Sequence, residues 1–365
     1  MRIGILSAQL GEEDVEENQR LSREILLLGH KAVVINYRKT VVATAGRKQI
    51  LYQPDKKGVL KPVRVDAVIP RINEADSKSI NLATTALETL ITGGTYSTAS
   101  PGAIRLSKDK VRSLLAITAA GIPAPRTAAI TSAGFVDVDL NNVLKTVEPN
   151  INRRLVVKTI LGTHGKGVMP ANSRGEAFAI IDGFLANRIP ILLQQFVEPT
   201  KKDRYVDLRF IIVGGKLVSA MKREAVRRDE IRANLSLGGI GLSYQPSEWE
   251  IELAERAARA VGLSVAGVDI IPSGKKRLVI EVNSSPGFII EKINKVNVAR
   301  QIVQQAVSNA NVKQEVSANK IKDVLNTPVP IPAPIKVKNV KPKISKALTP
   351  EAIKLIRIKV KTISE

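Results

Sequence analysis

The sequence predicts a mixed α/β (α+β) protein that carries a basic C-terminal extension. Short apolar runs alternate with runs of helical periodicity from the N-terminus to about residue 310. Hydrophobic residues make up 44% of the 365-residue chain, which is the composition of an ordinary globular protein. From about residue 312 this pattern gives way to a Pro- and Lys-rich stretch. The length suits two or three domains, and the predicted divisions are 1–105, 106–200, 201–310 and 311–365.

The first division is predicted to be an open α/β domain. Apolar runs predict strands over 2–6, 31–36 and 65–71, and helical spacing predicts helices over 17–29 and 79–94. Residues 52–62 predict a hairpin with its turn at 56–58. Because strands and helices alternate along the chain, we expect a sheet with helices on its faces.

The next two divisions begin with a joint between domains. Residues 106–127 predict a helix that stops at a glycine and is followed by two prolines. A small subdomain follows, with strands around a Gly-rich loop and a helix near 174–187. The third division predicts two strand pairs joined by Gly-Gly and Ser-Gly turns, a helix over 246–261 and a final helix from about 294 to 307.

The net charge and the content of cysteine, histidine and aromatic residues favour some classes of function and argue against others. The chain has 56 basic and 34 acidic residues, a net charge of +22 that predicts attraction to polyanions such as nucleic acid, ATP or acidic peptides. It has no cysteine and only two histidines, His30 and His164, which excludes thiolate chemistry and argues against a Ser-His-Asp triad. Aromatic residues are only 3%, which argues against a base-stacking platform. The N-terminal apolar run is too short for a signal peptide or membrane span, so we expect a cytoplasmic protein.

The stretch LVIEVNSSPG (278–287) carries polar side chains in an apolar strand. Strand alternation puts Glu281 and Asn283 on one face. Asp269, in VAGVDIIPSG, precedes them by one short turn and can lie beside them on the same sheet face. Two carboxylates and an amide oxygen are donors that Mg²⁺ or Mn²⁺ prefers. The alternative is a surface hairpin with scattered polar residues.

The stretch VVKTILGTHGKGV (156–168) joins a lysine to a Gly-rich loop. Lys158 ends an apolar run, and Gly162, Gly165 and Gly167 follow. Glycines let backbone N–H groups approach phosphate oxygens, and a lysine adds a point charge. The loop lacks the GxxxxGK[ST] spacing of a Walker loop. An ordinary Gly-rich hairpin is the alternative.

A third set of polar residues lies in DLR and KREAVRRDEIRANL. Asp207 and Arg209 share one strand face, and Arg223, Arg232 and Asn234 follow on the return. The planar guanidinium group suits carboxylates and phosphates. A solvated basic hairpin is the alternative.

The order of these motifs over residues 1–305 resembles the ATP-grasp fold and, more narrowly, the RimK-type α-L-glutamate ligases. The segments that carry the resemblance are DAVIPRI, SKDKVRSL with Lys110, the Lys158 loop, LLQQF, DLR, RANL, VAGVD and IEVNSSPG. The resemblance implies an N-terminal pre-ATP-grasp domain and ATP as co-substrate with two Mg²⁺ or Mn²⁺ ions. It implies that Lys110 and Lys158 contact the phosphates, and that Asp269, Glu281 and Asn283 hold the metal.

The remaining site residues also follow from the resemblance. Gln195 and Phe196 match the hinge that holds adenine, and Asp207, Arg232 and Asn234 match further nucleotide-site residues. Arg209, Arg223 and Arg232 would hold negative charge that develops on the reacting groups. The family usually has Glu where Gln195 stands, and an amide oxygen can still accept a hydrogen bond from the adenine amino group.

The implied activity is an ADP-forming ligase that adds L-glutamate to the C-terminal carboxylate of an acceptor through an acyl phosphate. The family acceptor is often a ribosomal protein, which a chain of charge +22 would suit. Two alternatives remain open: a same-fold ligase for another amino acid or a small-molecule acceptor, and a non-catalytic ribosome- or nucleic-acid-binding protein. The 311–365 tail is predicted to be a linker with a basic end that docks an acidic partner or nucleic acid. No membrane partner is expected, and homo-oligomerisation is left open.

Overall fold

The computed structural model describes most of the chain in sixteen strands and nine α-helices. Met1–Val316 forms one compact unit. The tail after residue 326 and Gly165, both singled out in the sequence, lie outside the described residues. The described residues are 1–8, 12–46, 48–74, 76–131, 139–150, 154–162, 167–198, 204–227, 230–235 and 238–326.

The N-terminal region is built on a parallel sheet. Its first strand is buried on both faces, as a parallel strand covered by helices requires. The strand order is β2-β1-β6-β7, and a separate antiparallel sheet has the order β3-β4-β5. The elements are β1 (Arg2–Ser7), α1 (Glu12–Leu27), β2 (Lys31–Asn36), β3 (Val41–Ala45), β4 (Lys48–Pro54), β5 (Leu60–Pro62), β6 (Ala67–Arg71), α2 (Ser77–Thr92) and β7 (Tyr96–Ser97).

The middle region is a four-stranded antiparallel sheet with two helices packed on it. The order is β10-β9-β11-β8, and α5 and α6 cover one face through a separate apolar core that includes Leu144, Val157 and Ile181. The other face carries Lys158 and Gln194. The elements are α3 (Pro101–Lys108), α4 (Lys110–Ala119), β8 (Thr127–Ile130), α5 (Leu140–Val147), β9 (Leu155–Thr159), β10 (Val168–Ala171), α6 (Arg174–Ala186) and β11 (Ile191–Gln195).

The third region is a five-stranded antiparallel sheet of order β14-β13-β12-β15-β16. One face of its central strand, with Phe210, packs in the core that contains α7, and the other, with Ile211 and Val213, packs against α9. Asp207 and Arg209 continue that second face beyond the helix. The elements are β12 (Val206–Val213), β13 (Lys216–Glu224), β14 (Ile240–Ser243), α7 (Glu248–Ala260), β15 (Val265–Ser273), β16 (Lys276–Asn283), α8 (Ile289–Asn294) and α9 (Val298–Asn326).

Three helices differ from the sequence expectation, and one of them, α1, begins at Glu12, five residues before the predicted start. The helix predicted within 106–127 is broken at Asp109, whose backbone is extended and whose carboxylate accepts from the N–H groups of the next helix. The helix predicted from 294 to 307 begins at Val298 and continues to Asn326. Polar residues at 308, 309, 311 and 313–315 interrupt the apolar periodicity on which the prediction relied. None of the helices in the described ranges is long and apolar enough to cross a membrane.

Candidate active site

A row of polar side chains crosses the third sheet where α9 no longer covers it. Arg209 pairs with Asp269 across β12 and β15, and Asp269 pairs with Glu281 across β15 and β16. Because directly paired residues project to the same face, these three side chains lie side by side. The predicted neighbourhood of Asp269 and Glu281 is therefore present. Asn283 lies two residues beyond Glu281 and is paired with Gly267.

A β-bulge turns Glu281 toward this face. The register shifts between Asp269 and Ile270, so that Asp269 pairs with Glu281 but Ile270 pairs with Val279. Ile280 is the extra residue, and a bulge of this kind interrupts strict alternation. Val279 and Val282 are both buried, whereas Ile280 and Glu281 both line a pocket above the sheet. The bulge thus presents two consecutive side chains to the pocket.

Four charged side chains form a network in the floor of this region. Arg209 donates to both oxygens of Asp269, and Arg223 donates to Asp207 at 2.6 and 2.9 Å and lies 3.0 Å from Asp269. Burial alone would raise the pKa of Asp269, but the charges of the two arginines outweigh it and hold the pKa below its usual value. Asp207 shares one arginine, and burial raises its pKa. Asp269 is therefore the firmly ionised member of the pair.

Two lysines come from the opposite side of the pocket. The Lys158 ammonium group donates to the Gln194 side chain at 2.7 Å, and that of Lys110 donates to the Gly162 carbonyl at 2.9 Å. Burial lowers the pKa of Lys158 to about 8, against the charge of Glu281, which raises it. A bound phosphate or carboxylate would stabilise the charged form of a lysine whose pKa is lowered by burial.

The Gly-rich loop closes on β9 in a way that needs a glycine. Gly167 has φ +71°, and its carbonyl accepts from the Thr159 N–H at 3.1 Å. A Cβ atom on Gly167 would lie 2.6 Å from the Thr159 hydroxyl oxygen. The loop can therefore return beside its own strand only with glycine at this position. Gly162, on the other limb, lines the pocket.

The chain after β11 forms the pocket wall opposite the loop. Gln195 and Val197 line the pocket, and the Gln195 N–H donates to the Arg126 carbonyl at 2.8 Å. The Phe196 side chain is buried outside the pocket, with its ring centre 6.2 Å from that of Tyr205 and 4.2 Å from the Arg154 guanidinium carbon. Side chains alternate between the two sides of an extended segment. Gln195 and Val197 therefore face the pocket together, and Phe196 packs on the other side and anchors the segment.

The described part of the pocket gathers most of the residues singled out in the sequence. Arg232 lines it and is paired with Glu230 at 2.8 Å. Arg209 and Arg223 do not line it, because they lie in the floor, bound to carboxylates. Phe196, Gly167 and Asn283 also lie outside its lining. The predicted residues that line it are Lys110, Lys158, Gly162, Gln195, Asp207, Arg232, Asn234, Asp269 and Glu281.

The donor set at the strand ends fits a divalent cation. Within the described ranges, Glu281 and Asn283 are half-buried and make no hydrogen bond or ion pair, so their oxygens are free to coordinate. Asp269 adds an ionised carboxylate beside them. No cluster of three His, Cys, Asp or Glu side chains occurs in the same ranges, so such a site depends on the Asn283 amide. Hard oxygen donors of this kind suit Mg²⁺ or Mn²⁺.

Sequence reasoning missed three residues of this region. Gln194, the partner of Lys158, is buried and lines the pocket, and the phenol of Tyr205 lies beside Asp207. Lys108 flanks Asp109 on the side opposite Lys110, and burial lowers the pKa of its ammonium group to about 8. The signal for Gln194 was a polar residue in the middle of an apolar strand, and that for Lys108 was a second lysine flanking the cap residue Asp109.

Comparisons with known proteins identify the architecture. Residues 1–104 match the RimK PreATP-grasp domain, and residues 107–306 match the RimK-like ATP-grasp domain. The chain belongs to the RimK-like ATP-grasp family. It is therefore an ATP-dependent, ADP-forming ligase, and ligases of this superfamily use ATP with divalent metal ions.

Three proteins illustrate this relationship. A Coxiella burnetii protein named probable alpha-L-glutamate ligase is 33% identical over 311 residues, which cover 85% of this chain and 96% of that protein. The RimK-domain ATP-grasp protein of Sphaerobacter thermophilus has a TM-score of 0.60 at 20% identity, covering 84% of this chain and 99% of that one. The ATP-grasp ligase PsnB, solved with a minimal precursor, Mg and ADP, has a TM-score of 0.61 at 16% identity, covering 84% and 97%. The two solved structures bear on the fold alone.

Proposed function

We propose that this RimK-like chain adds L-glutamate to the C-terminal carboxylate of a protein or peptide acceptor, at the expense of ATP. The observation that carries the proposal is one pocket in which Lys110 and Lys158 face Asp269 and Glu281 across two sheets. The choice of glutamate is supported by the Coxiella burnetii relative named probable alpha-L-glutamate ligase. The alignment covers 85% of this chain and 96% of that protein.

In this proposal ATP lies between the two sheets. Lys110 and Lys158 bind its phosphates as point charges, and the loop that contains Gly162, Gly165 and Gly167 covers them. The segment at Gln195 and Phe196 borders the adenine, with the Gln195 amide available to its amino group. Asp207, Arg232 and Asn234 complete the nucleotide site.

Asp269, Glu281 and Asn283 would hold the divalent metal ions. A divalent ion held by these residues would supply positive charge that offsets the charge of the phosphates. Arg209 and Arg223 keep Asp269 ionised in the buried floor, which is the protonation state that a cation needs.

The reaction proceeds in two displacements. An oxygen of the acceptor carboxylate attacks the γ-phosphorus, and the bond to the β-phosphate oxygen breaks to release ADP. The glutamate amine then attacks the acyl carbon, loses a proton and expels phosphate, which leaves a new amide. Arg232, which lines the pocket, stabilises the negative charge that develops in these steps, whereas Arg209 and Arg223 are held by carboxylates in the floor. No enzyme nucleophile is required, in keeping with a chain that lacks cysteine.

The acceptor is proposed to be an acidic C-terminal segment, with ribosomal proteins as one source. A net charge of +22 favours such a partner. The fold relative PsnB was solved with a minimal precursor, Mg and ADP.

ADP release is the direct test of this proposal. Each of the twenty amino acids is supplied with ATP and Mg²⁺ or Mn²⁺, with and without a peptide that ends in glutamates. We expect release that needs glutamate and rises with the peptide. A Glu281→Gln variant should abolish it, whereas Glu252→Gln, at an exposed position on α7, should not. Release with another amino acid alone, or with a small-molecule acceptor alone, would contradict the proposal and favour a same-fold ligase of different substrate.

A further inference from the structure

Gln194 is a buried amide for which the proposed reaction has so far no use. It lies on β11, where it pairs with Thr127 of β8 on one side and with Val156 of β9 on the other. Its side chain lines the pocket between the two sheets, although the residue is only 3% exposed. A buried amide in an apolar strand is costly unless it is hydrogen-bonded. The partners of Gln194 therefore indicate what it does.

The two ends of the Gln194 amide bind different partners. Its Oε1 atom accepts a hydrogen bond from the Lys158 ammonium group at 2.7 Å, and its Nε2 atom donates to the Thr127 hydroxyl oxygen at 3.1 Å. Lys158 lies two residues beyond Val156 on β9, so it is a diagonal neighbour of Gln194 on the same face of the sheet. Within the described part of the chain, this is the one hydrogen bond that the Lys158 side chain makes. Gln194 therefore sets the position of the Lys158 ammonium group.

The Thr127 hydroxyl fixes which end of the amide faces the lysine. Its oxygen lies 2.9 Å from the Pro125 carbonyl oxygen, which can only accept, so the single hydroxyl proton of Thr127 is donated there. The hydroxyl oxygen can then only accept from Gln194, which must present its N–H group to Thr127. An ammonium group can only donate, so Lys158 requires the amide oxygen on the other side. Both neighbours thus demand the same orientation of the Gln194 amide.

An amide holds the lysine in place without neutralising its charge. A carboxylate at the same position would form an ion pair with Lys158 and would repel the phosphates of a nucleotide. The amide oxygen carries no net charge and uses one of the three N–H donors of the ammonium group. The full charge of Lys158 and its two remaining donors are left for a ligand.

We infer that Gln194 is a positioning residue, which holds Lys158 in the place where it binds the phosphates of ATP. The inference rests on the proposed function, which assigns the phosphates to Lys158. Thr127 supports it in turn, because its hydroxyl group keeps the amide oxygen toward the lysine. The three side chains form one chain of hydrogen bonds from the Pro125 carbonyl to the phosphate site.

The test is a double-mutant cycle on ATP binding, measured by equilibrium dialysis with Mg²⁺ at ATP concentrations up to the millimolar range. Gln194→Met should raise the Kd for ATP roughly ten-fold, the size of a lost hydrogen bond to a charged group. When it is added to Lys158→Met, the Kd should change by less than about two-fold, because the amide then has no lysine to hold. The control is Gln49→Met, at an exposed position on strand β4, which should bind ATP like the wild type. Thermal melting establishes that each variant is folded.

A second variant tests the chain of hydrogen bonds without altering Gln194. Thr127→Val keeps the shape of the side chain but removes the hydroxyl group that orients the amide. We expect the Kd for ATP to rise about two- to three-fold, and this effect should disappear in the Gln194→Met background.

The same effect of Gln194→Met with and without Lys158 would overturn the inference, because a direct contact with the nucleotide or a general disturbance of β11 does not depend on the lysine. ATP binding that is unchanged in Lys158→Met would remove the proposed phosphate contact and the inference with it. The assay contains no amino acid and no acceptor. If the enzyme joins a substrate other than glutamate, the proposed function fails, and the cycle still decides the role of Gln194.

Discussion

Lys158 shows how a single residue can cost stability in order to serve binding. Its charge is partly removed from water, and its pKa is lowered from 10.5 to about 8. Between these two values the unfolded chain binds more protons than the folded one, so stability rises with pH across this window. Below pH 8 the folded protein bears the full cost of the buried charge. Phosphate binding would offset that cost only when ATP is present.

We predict that Lys158→Met stabilises the free protein at pH 7 and abolishes ATP use. The free energy of unfolding should increase by about 2 kcal/mol, after allowance for partial exposure. The gain should shrink as the pH rises from 8 to 10.5, where the wild-type lysine becomes neutral. Chemical denaturation over this pH range measures both effects. Lys145→Met, at an exposed position on α5, is the control, and a gain of equal size there would contradict the prediction.

For the arginines in the floor we predict the opposite effect, a loss of stability when the charge is removed. Arg223→Met would leave Asp207 and Asp269 buried without their shared cation, and we expect a loss of about 3–5 kcal/mol in the free energy of unfolding. Arg105→Met removes an ion pair with Glu88 in which the side chains are 37% and 46% exposed, and should cost at most about 1 kcal/mol. Urea denaturation of both variants makes the comparison. Equal losses would mean that the floor network contributes no more than a surface pair.

At the scale of elements, the break between α3 and α4 positions the site. Asp109 caps α4 through the N–H groups two and three residues ahead, and Asp139 caps α5 through the same pattern. Only the first cap lies beside a pocket residue, Lys110. The two aspartates therefore form a matched pair in which the structural role is the same and the functional role differs.

We predict that Asp109→Ala and Asp139→Ala each cost about 1 kcal/mol of stability. Asp109→Ala should in addition raise the KM for ATP several-fold, because Lys110 is no longer held against the Gly162 carbonyl. Asp139→Ala should leave that KM unchanged. Melting curves and ATP titrations of the two variants test the prediction, which would be wrong if their effects on the KM for ATP were the same.

The strands show how far sequence reasoning reaches and where it stops. The short turn predicts that Asp269 and Glu281 lie on neighbouring strands, but the turn and strict alternation alone would pair Asp269 with Ile280, and the bulge is what places Glu281 beside Asp269. The bulge at Ile280 could not be predicted, because an extra apolar residue within an apolar strand does not change the hydrophobic pattern of the sequence. The pairing of Arg209 with Asp269 joins residues sixty positions apart and depends on strand order and register. The only sign in the sequence of the break at Asp109 is a residue type that often caps helices, placed between two lysines.

At the scale of the whole molecule, the C-terminal segment is more basic for its length than the rest of the chain. Residues 327–365 contain nine basic and two acidic residues, and lie beyond the last described helix. The two matched family domains end before them, at residue 306. We propose that this segment recruits an acidic acceptor by long-range attraction and takes no part in the chemistry.

We predict that a chain ended at Asn326 keeps the wild-type turnover on a short peptide acceptor. On a large acidic acceptor its KM should rise, and the difference from the full chain should fade as salt is added, because screening weakens long-range attraction. Steady-state rates on the two acceptors at low and high salt measure this. Reduced turnover on the short peptide would assign the segment to the chemistry.

The central claim is that the pocket between the two sheets activates an acceptor carboxylate as an acyl phosphate. The most direct test uses a peptide whose C-terminal carboxylate is labelled with oxygen-18, with ATP, Mg²⁺ and glutamate. The account predicts that the first amide formed on each peptide transfers one labelled oxygen to inorganic phosphate, that the peptide gains the mass of one or more glutamyl residues, and that Glu281→Gln does neither. Label in AMP, or a first addition whose phosphate carries no label, would contradict it.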